Sequence, residues 1–415
     1  MSSRRSPAPW HDGTLGLLTH GYAWLPDLMR RAPDDSAVRT RLLGRPALAM
    51  RGPDAVGFFY DERHVVRTDA LPGPVLDTLF GRGAVHTLDG EAHRVRKALF
   101  TALLTDGAGV AALRGHVVRR WRETAAGRGR GRDDVVLFGA TADVLALAVR
   151  DWAGLPLSDR ATLALGHDCV RMVDGFATPG PRHLRARRAR GRQEWALAGL
   201  VEDVRRAREE DSSGTALGAV VRHRDLGGDL LDPRTAAVEL LNVVRPTVAI
   251  AWFVAFAAHA MHRWPEQRER LSADADGSYA VAFAHEVRRF YPFAPFVAGL
   301  AARDLTWRGE RVPKDGLVIL DLYGQDHDPA LWGDPYRFDP LRFTGPGGLG
   351  DLVPQGGGDP ARGHRCPGED VTVTVLAALA SELAALTYAV PEQDLSIPLS
   401  HVPTLPRSGV VLRLR

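Results

Sequence analysis

The stretch Gly363-His364-Arg365-Cys366-Pro367-Gly368-Glu369 decides how this chain is interpreted. It places one cysteine in a tight turn, directly before the largely apolar segment Val371–Leu386, which is typical of a helix. The charges of His364 and Arg365, and the positive N-terminal end of that helix, are expected to favour the thiolate form of the cysteine. A thiolate built this way is either a nucleophile or a metal ligand.

Composition limits the class of protein. The 415 residues are 45% hydrophobic and 25% charged, as in a globular protein, and the formal net charge is only +3. The two cysteines, Cys169 and Cys366, form neither a disulfide framework nor a zinc pattern, which suits a reducing compartment. Residues 1–10 carry positive charge but no apolar stretch. We therefore expect no signal peptide and a cytoplasmic location.

Two segments could suggest a nucleic acid or a membrane as partner. The arginine-rich run Arg182–Arg192 has no interleaved aromatic residues, so a solvated helix is the better interpretation. The apolar stretch Pro246–Ala258 is too short to span a bilayer and is flanked by Arg245 and His259. We expect no nucleic-acid partner and no membrane span, and predict that Arg234–Met261 is a helix inside a large core.

The pattern along the chain predicts a mainly α fold with small β-sheets, an α+β layout. A β-rich N-terminal region, about residues 40–70, contains the β-like runs Ala47–Met50 and Ala55–Tyr60. Residues from about 91 to 300 have mostly helical periodicity and form the predicted helical body.

The C-terminal part returns to short strands and turns. Strand-like or turn-like segments occur at Leu317–Leu322 and Pro340–Phe343, and a last strand ends at Val410–Leu412. One helix, Val371–Tyr388, stands between them and follows the cysteine loop at residues 354–369. We predict that residues 1–415 form a single domain.

Two further motifs precede Cys366 in a specific order. Glu286 and Arg289 lie three residues apart, so a helix would put them on one face, where they can pair. Arg342 follows in the turn Phe338–Phe343, before the cysteine loop. The order Glu-x-x-Arg, Pro-x-Arg-Phe and Cys-x-Gly is far more specific than any of the three motifs alone.

In these segments the chain resembles the haem-thiolate cytochrome P-450 superfamily. The resemblance covers nearly the whole chain and implies that fold, with haem b as cofactor and Cys366 as the proximal ligand of its iron. It also implies that Glu286, Arg289 and Arg342 form a buried network that supports the cysteine loop. The alternative, a nucleophilic cysteine, lacks a convincing His and Asn/Asp partner set.

Two departures from the superfamily pattern are informative. Asp359 stands where the loop usually has a phenylalanine. The long helix lacks the acid–alcohol pair that usually relays protons to bound oxygen, and has Asn242-Val243-Val244-Arg245-Pro246 instead. Because Pro246 has no N–H, the carbonyl of Asn242 loses its helical partner, and the helix is expected to distort there.

Arg245 is a charge within an apolar helix, where an unpaired guanidinium is costly. A local carboxylate could pair with it, but positions 241, 242, 248 and 249 hold no acid. The sharper interpretation is a guanidinium that binds a substrate carboxylate, which it can hold with two parallel hydrogen bonds.

Arg245-Pro246, with Gln355–Gly358 and Tyr291–Phe296, resembles the bacterial fatty-acid peroxygenase branch of the superfamily. The resemblance implies that hydrogen peroxide oxidises long-chain fatty acids at Cα or Cβ, without a redox partner. The fatty-acid carboxylate, held by Arg245, would act as the general acid–base for peroxide cleavage. The expected products are hydroxy acids and, by decarboxylation, terminal alkenes.

The same resemblance assigns roles to other side chains, for which ordinary core or surface roles stay open. His86 matches a position that carries Gln or His in this branch; the His form is associated with decarboxylation, and His86 is a candidate proton donor. Three residues match positions lining the substrate tunnel: Phe80, Phe293 and Phe296. Three match positions that hold the haem propionates: Arg67, Lys97 and His364.

Two other functions stay open. A conventional reductase-dependent monooxygenase has the same fold, although Arg245-Pro246 argues against it. A haem-binding sensor or carrier without turnover belongs to a different class, and an anchoring arginine beside a thiolate ligand argues against that.

Overall fold

A computed structural model describes residues 11–31, 37–128, 134–176, 178–207, 214–345 and 349–414. Residues 1–10, on which the signal-peptide prediction depends, lie outside these ranges.

The N-terminal region combines short helices with the first strands of a sheet. Its elements are α1 (Thr14–His20), α2 (Trp24–Met29), β1 (Ala37–Leu42), β2 (Arg45–Met50), α3 (Pro53–Phe59), β3 (Val65–Val66) and α4 (Gly73–Val75). The predicted strand over Ala55–Tyr60 is wrong, because most of this segment belongs to α3. Pro53 starts that helix, and Ala55 and Phe59, one helical turn apart, are its buried residues.

The helical body contains the longest helices of the described residues. Its elements are α5 (Gly90–Leu104), α6 (Gly107–Arg128), β4 (Asp134–Val136), α7 (Leu137–Ala153), α8 (Asp159–Gly175), α9 (Pro181–Ala207), α10 (Ala216–Arg222), α11 (Pro233–Arg263), α12 (Pro265–Ser272) and α13 (Ser278–Phe290). The mainly helical prediction for residues 91–300 is confirmed as far as α13. The last residues of that range begin a strand.

The C-terminal part completes the sheets around one long helix. Its elements are β5 (Phe296–Ala301), β6 (Leu305–Trp307), β7 (Glu310–Val312), β8 (Leu317–Asp321), α14 (Leu322–Asp326), α15 (Pro329–Trp332), α16 (Glu369–Ala385), β9 (Tyr388–Ala389) and β10 (Val411–Leu414). Pro340–Phe343 is a turn of 3₁₀-helix that the Asp339 carboxylate caps through the N–H of Leu341.

Three sheets flank the helices. The five-stranded sheet has the order β1-β2-β8-β5-β3, in which only the β2–β8 pair is parallel. A three-stranded sheet, β4-β10-β9, ties the C-terminus to the start of α7, and β6 and β7 form a hairpin. The observed layout matches the predicted α+β class.

Helix α11 runs through the helical body and packs against α7, α8, α9, α13 and α16. It is long and apolar enough to cross a membrane, but 94% of its most apolar window is buried inside the protein, as predicted for a core helix. The helix continues through Pro246, so the expected distortion does not interrupt it. Its first turn is capped by Asp232, whose carboxylate accepts from the N–H groups of Arg234 and Thr235.

Candidate active site

The cysteine loop is built from turns that end at the N-terminus of α16. The N–H of Cys366 donates to the carbonyl of Gln355 at 3.3 Å, and the N–H of Gly363 donates to the carbonyl of Asp359 at 2.9 Å. Asp359, at the position of the usual phenylalanine, is exposed, and its carboxylate accepts from the N–H of Ala361 at 2.8 Å. The acid therefore stabilises the turn instead of packing near the sulfur.

His364 and Arg365, the cations expected to favour the Cys366 thiolate, lie next to carboxylates instead. Arg365 pairs with Glu369 at 2.7 Å, and Nε2 of His364 lies 3.4 Å from the carboxylate of Asp89. Lys97 is a cation whose charge acts on the sulfur, and its Nζ donates to the carbonyl of Arg365 at 2.5 Å. The expectation that His364 and Arg365 favour the thiolate is corrected accordingly.

Burial raises the pKa of the Cys366 thiol, against the opposing effects of the Gly368 N–H and the Lys97 charge. A thiol in this state is a weak nucleophile at neutral pH, because the thiolate is the reactive form. Coordination to a metal ion removes the proton outright. The structure thus favours the metal-ligand interpretation of Cys366 over the nucleophile.

Gln355 is a residue beside the sulfur to which the sequence analysis gave no role. Its Nε2 lies 3.6 Å from Sγ of Cys366 and 3.2 Å from the hydroxyl of Thr372, and its Oε1 accepts from Nε of Arg288 at 3.1 Å. Arg288 is 1% exposed and also pairs with Glu369. The signal in the sequence was a single amide directly before three glycines.

Those glycines let the loop pass close to α3. At Gly356, where φ is +92°, a Cβ atom would lie 2.3 Å from the Tyr60 hydroxyl. At Gly357 it would lie 2.3 Å from a methyl group of Val56. Side chains at these positions would push the loop, and with it Gln355, away from the helix.

The predicted network behind the loop is present. Both oxygens of Glu286 accept from Arg289 at 2.7 Å, and both residues are fully buried. Nε of Arg342 lies 3.8 Å from Glu286, and its guanidinium donates to the carbonyl of Trp332 at 2.5 Å. Arg289 adds a bond to the carbonyl of Asp326 at 2.8 Å, so the network ties α13 to the segment before the cysteine loop.

The cations predicted to hold propionates differ in their surroundings. Arg67 is 7% exposed and stacks on the Phe59 ring at 4.3 Å, and Lys97 is 3% exposed. Among the described residues neither has a carboxylate partner. His364 differs, because it already faces the carboxylates of Asp89 and Glu62.

His93 is a further candidate that the sequence analysis missed. It is 2% exposed, its ring stacks on that of His364 with centroids 3.9 Å apart, and its Nδ1 has no hydrogen-bond partner among the described residues. It lies one helical turn before Lys97 on α5. That His-x-x-x-Lys spacing was the signal available in the sequence.

Arg245 lies on α11 and is buried, at 6% exposure. Its Nη2 donates to Oδ1 of Asn242 at 3.2 Å, its guanidinium lies 5.8 Å from the Phe80 ring centre, and its Nε has no partner in the described part of the chain. Burial, and secondarily the charge of Arg190, lower the pKa of Arg245 to about 9, so it is a cation at neutral pH. A pairing with a local carboxylate is not observed among the described residues.

His86 lies beside Arg245 and Phe80. Its ring is 4.4 Å from that of Phe80, and its buried Nδ1 has no hydrogen-bond partner within the described ranges. Burial, and then the charges of Arg245 and Lys97, hold the pKa of His86 well below its usual value. The imidazole is therefore neutral at physiological pH, and it can donate an N–H hydrogen bond but is not a charged acid.

The three tunnel phenylalanines do not form one group. Phe80 and Phe293 pack against the main helical core, and the Phe293 ring lies 4.8 Å from that of Phe253 on α11. Phe296 packs instead on Trp24, 5.9 Å between ring centres, in the cluster between the sheet and α2. Its observed contacts are those of a core residue.

This set of side chains fits haem b. The partly buried Cys366 can ligate the iron, and two buried cations, Arg67 and Lys97, form no salt bridge with a carboxylate among the described residues and suit two propionates. The charges of Lys97 and Arg245 both act on His86, and that of Arg245 also on Cys366, so these groups surround one buried region.

Comparison with known proteins agrees with this geometry. The cytochrome P-450 family model matches residues 270–360. Cytochrome P-450 BJ-4 of Bradyrhizobium diazoefficiens is 30% identical over 348 residues, which are 77% of this chain and 74% of that protein. A mutant of cytochrome P-450SP alpha has a TM-score of 0.92 at 39% identity, over 97% of this chain and 98% of that chain.

A third match was solved with a ligand. Wild-type cytochrome P-450EX alpha with myristic acid has a TM-score of 0.91 at 35% identity, over 98% of this chain and 97% of that chain. The chain therefore belongs to the cytochrome P-450 family of haem-containing oxidoreductases, in its bacterial fatty-acid peroxygenase branch.

Proposed function

We propose that this enzyme uses hydrogen peroxide to oxidise long-chain fatty acids at Cα or Cβ, and that Arg245 binds the substrate carboxylate. The observation that carries the proposal is the state of Arg245. It is a buried cation whose Nε has no partner in the described part of the chain and whose one described hydrogen bond goes to a neutral amide. A carboxylate would supply the charge and the two acceptors that the guanidinium lacks.

Arg245 would also place the acid that the chemistry needs. The helix has Asn242-Val243-Val244-Arg245-Pro246 where an acid–alcohol pair usually stands, so this segment offers no carboxylic acid. A substrate carboxylate on Arg245 can accept and return a proton during peroxide cleavage at the second lone pair of one of its oxygens, which the guanidinium does not use. When bound, haem supplies an iron whose thiolate ligand donates electron density that favours O–O cleavage.

The two proposed outcomes balance with one equivalent of peroxide. In hydroxylation, RCH₂CH₂COOH and H₂O₂ give RCH(OH)CH₂COOH, or the Cα isomer, and H₂O. In decarboxylation, the same reactants give RCH=CH₂, CO₂ and two H₂O. His86, a neutral hydrogen-bond donor beside Phe80, is proposed to favour the second outcome by contacting the reacting end of the substrate.

Cys366 is proposed as the iron ligand, Arg67, Lys97 and His93 as propionate partners, and Phe80 and Phe293 as contacts of the alkyl chain. In this assignment the haem propionates and the substrate carboxylate are bound by different cations, Arg67 and Lys97 for the propionates and Arg245 for the substrate. We retain the predictions of a single domain, a cytoplasmic location and no required redox partner.

Product analysis tests this proposal. Purified haem-loaded enzyme would receive hydrogen peroxide with saturated fatty acids or with their methyl esters, and products would be identified by mass spectrometry. We expect hydroxy acids and terminal alkenes from the acids and almost none from the esters, which cannot form the charged pair with Arg245.

Two further measurements distinguish the proposed function from the two alternative functions. Turnover with ferredoxin, its reductase and NADPH, but none with peroxide, would support a conventional monooxygenase. A haem spectrum that no fatty acid perturbs would support a sensor or carrier.

A further inference from the structure

The segment Leu79–His86, which carries Phe80 and His86, is held by buried polar side chains from three helices. Two of its glycines, Gly81 and Gly83, have positive φ values of +86° and +75°, so the backbone follows an irregular path. Backbone N–H and C=O groups on such a path lack the regular partners of a helix or strand, so each needs another hydrogen-bond partner when it is buried. The partners here come from α5, α9 and α11.

Arg190 on α9 binds the first half of the segment. It is 1% exposed and donates to the carbonyls of Leu79 at 2.5 Å and Phe80 at 2.9 Å. Its Nε pairs with Glu194 at 2.6 Å. The run Arg182–Arg192, predicted to be a solvated amphipathic helix, lies within α9, and Arg190 is on the buried side of that helix. A Cβ atom at Gly81 would lie 2.2 Å from this guanidinium, which explains the glycine.

Glu239 on α11 binds the second half. It is fully buried, and one carboxylate oxygen accepts both from the N–H of Val85 at 2.8 Å and from Arg96 on α5 at 2.8 Å. Arg96 also donates to the carbonyl of Gly83 at 3.3 Å. The loop is thus fixed at both ends of its glycine turn.

Asn242 connects the segment Leu79–His86 to Arg245. It is 5% exposed, and its Nδ2 donates to the Phe80 carbonyl at 2.9 Å and lies 3.3 Å from Glu239. Its Oδ1 accepts from Nη2 of Arg245 at 3.2 Å. One amide therefore fixes both the guanidinium and the backbone of the segment that carries the neighbouring aromatic ring.

We propose that Asn242 is a positioning residue that sets where Arg245 holds the fatty-acid carboxylate relative to Phe80, and thereby selects between oxidation at Cα and at Cβ. The inference rests on the proposed function for its substrate. Neighbouring carbons of the chain are only about 1.5 Å apart, so a small displacement of the carboxylate changes which carbon lies next to the haem. Misplacement of this size is known to alter enzymatic rates strongly.

Two variants of Asn242 test this positioning role. Asn242→Ala removes the contacts of the amide with the Phe80 carbonyl, Glu239 and Arg245. We expect the fatty-acid Kd to rise about tenfold, as for loss of a hydrogen bond to a charged group, with a changed ratio of Cα to Cβ products. Asn242→Asp keeps the shape but puts a carboxylate against Arg245, so we expect Kd to rise further, toward that of Arg245→Ala. Haem absorbance and thermal unfolding would confirm that each variant folds.

Thr247→Val is the matched control, because Thr247 is a buried polar residue of the same helix whose hydroxyl donates only to the carbonyl of Val243 in the described structure. It should leave both Kd and product ratio unchanged. A wild-type ratio and Kd in Asn242→Ala, with Arg245→Ala inactive, would overturn the positioning role while leaving the proposed function intact.

Amide hydrogen exchange provides a readout that needs no substrate. Asn242→Ala should speed exchange in the peptide covering residues 79–86, and Thr247→Val should not. Unchanged exchange in that peptide would overturn the coupling even if the enzyme oxidises no fatty acid, in which case the proposed function would fail separately.

Discussion

The network behind the cysteine loop, called the cysteine side, and the groups around Arg245, called the Arg245 side, differ in whether their buried arginines have a carboxylate partner among the described residues. On the cysteine side, Glu286 has charge-assisted partners on both oxygens, and Arg288 is shared by Gln355 and Glu369. On the Arg245 side, Nε of Arg245 and Nδ1 of His86 are buried and have no hydrogen-bond partner in the described part of the chain.

This difference distinguishes residues that hold the cysteine loop in place from residues that can bind a ligand. A buried ion pair such as Glu286–Arg289, in which both carboxylate oxygens are already bonded, has little capacity left for a ligand and instead holds the loop in place. A buried cation that lacks an acceptor is costly by itself and is stabilised when a ligand brings one. The cysteine side is therefore suited to supporting the loop, and the Arg245 side is suited to the proposed binding of a substrate carboxylate.

The largest expected effect comes from breaking the paired side. Glu286→Ala leaves Arg289 as a fully buried charge without its carboxylate. We expect a loss of about 3–5 kcal/mol in the free energy of unfolding and poor haem incorporation. Denaturant titration and the haem absorbance of the purified variant measure these.

The matched control removes an acid from an exposed pair. Glu382 pairs with Arg122 at 2.6 Å, and the Arg122 side chain is 70% exposed. Glu382→Ala should change the free energy of unfolding by at most about 1 kcal/mol. Equal losses of unfolding free energy in the two variants would show that the buried Glu286 network contributes no more to stability than an exposed ion pair.

A smaller effect is expected from pH on the unpaired side. Burial lowers the pKa of Arg245 to about 9, so the guanidinium is charged below that pH and loses its proton above it. The Kd of a fatty acid should therefore rise as pH increases, by about tenfold at one unit above the pKa. Spectral titrations between neutral and alkaline pH would measure this, with the fatty alcohol of equal length as the neutral control. A parallel rise for the alcohol would contradict the assignment.

The smallest effect is expected at Gln355, the amide beside the sulfur. Gln355→Leu removes the Nε2 donor that lies 3.6 Å from Sγ. Loss of that donor leaves more negative charge on the thiolate, so the reduction potential of the haem should fall while peroxide-driven turnover changes less than about tenfold. Potentiometric titration checks this, with Thr372→Val as a control that touches Gln355 but not the sulfur.

The sequence was sufficient to predict the groups whose spacing is short. Glu286 and Arg289 share a helical face. The order of the three short motifs that contain Glu286, Arg342 and Cys366 was sufficient to indicate the family. The absence of an acid within one turn of Arg245 likewise predicted its unpaired state. Each of these inferences depends on local helix or turn geometry, which neighbouring residues determine.

Long-range contacts were not predictable in the same way. Arg190 lies 110 residues after Phe80 in sequence and binds its carbonyl, and Lys97 rather than the adjacent Arg365 acts on Cys366. Ala55–Tyr60 has the composition of a strand, but Pro53 and the one-turn spacing of its buried residues make it helical. Tertiary packing decided these cases, and no local pattern encodes it.

The most direct test of the central claim compares wild type with Arg245→Ala and Arg245→Lys for peroxide-driven oxidation of a long-chain fatty acid, each with its haem-thiolate absorbance verified. We predict that Arg245→Ala keeps its haem but loses about a hundredfold or more in turnover, and that Arg245→Lys, which retains the charge without the bidentate geometry, falls between. Turnover by Arg245→Ala within a few-fold of wild type would contradict the account.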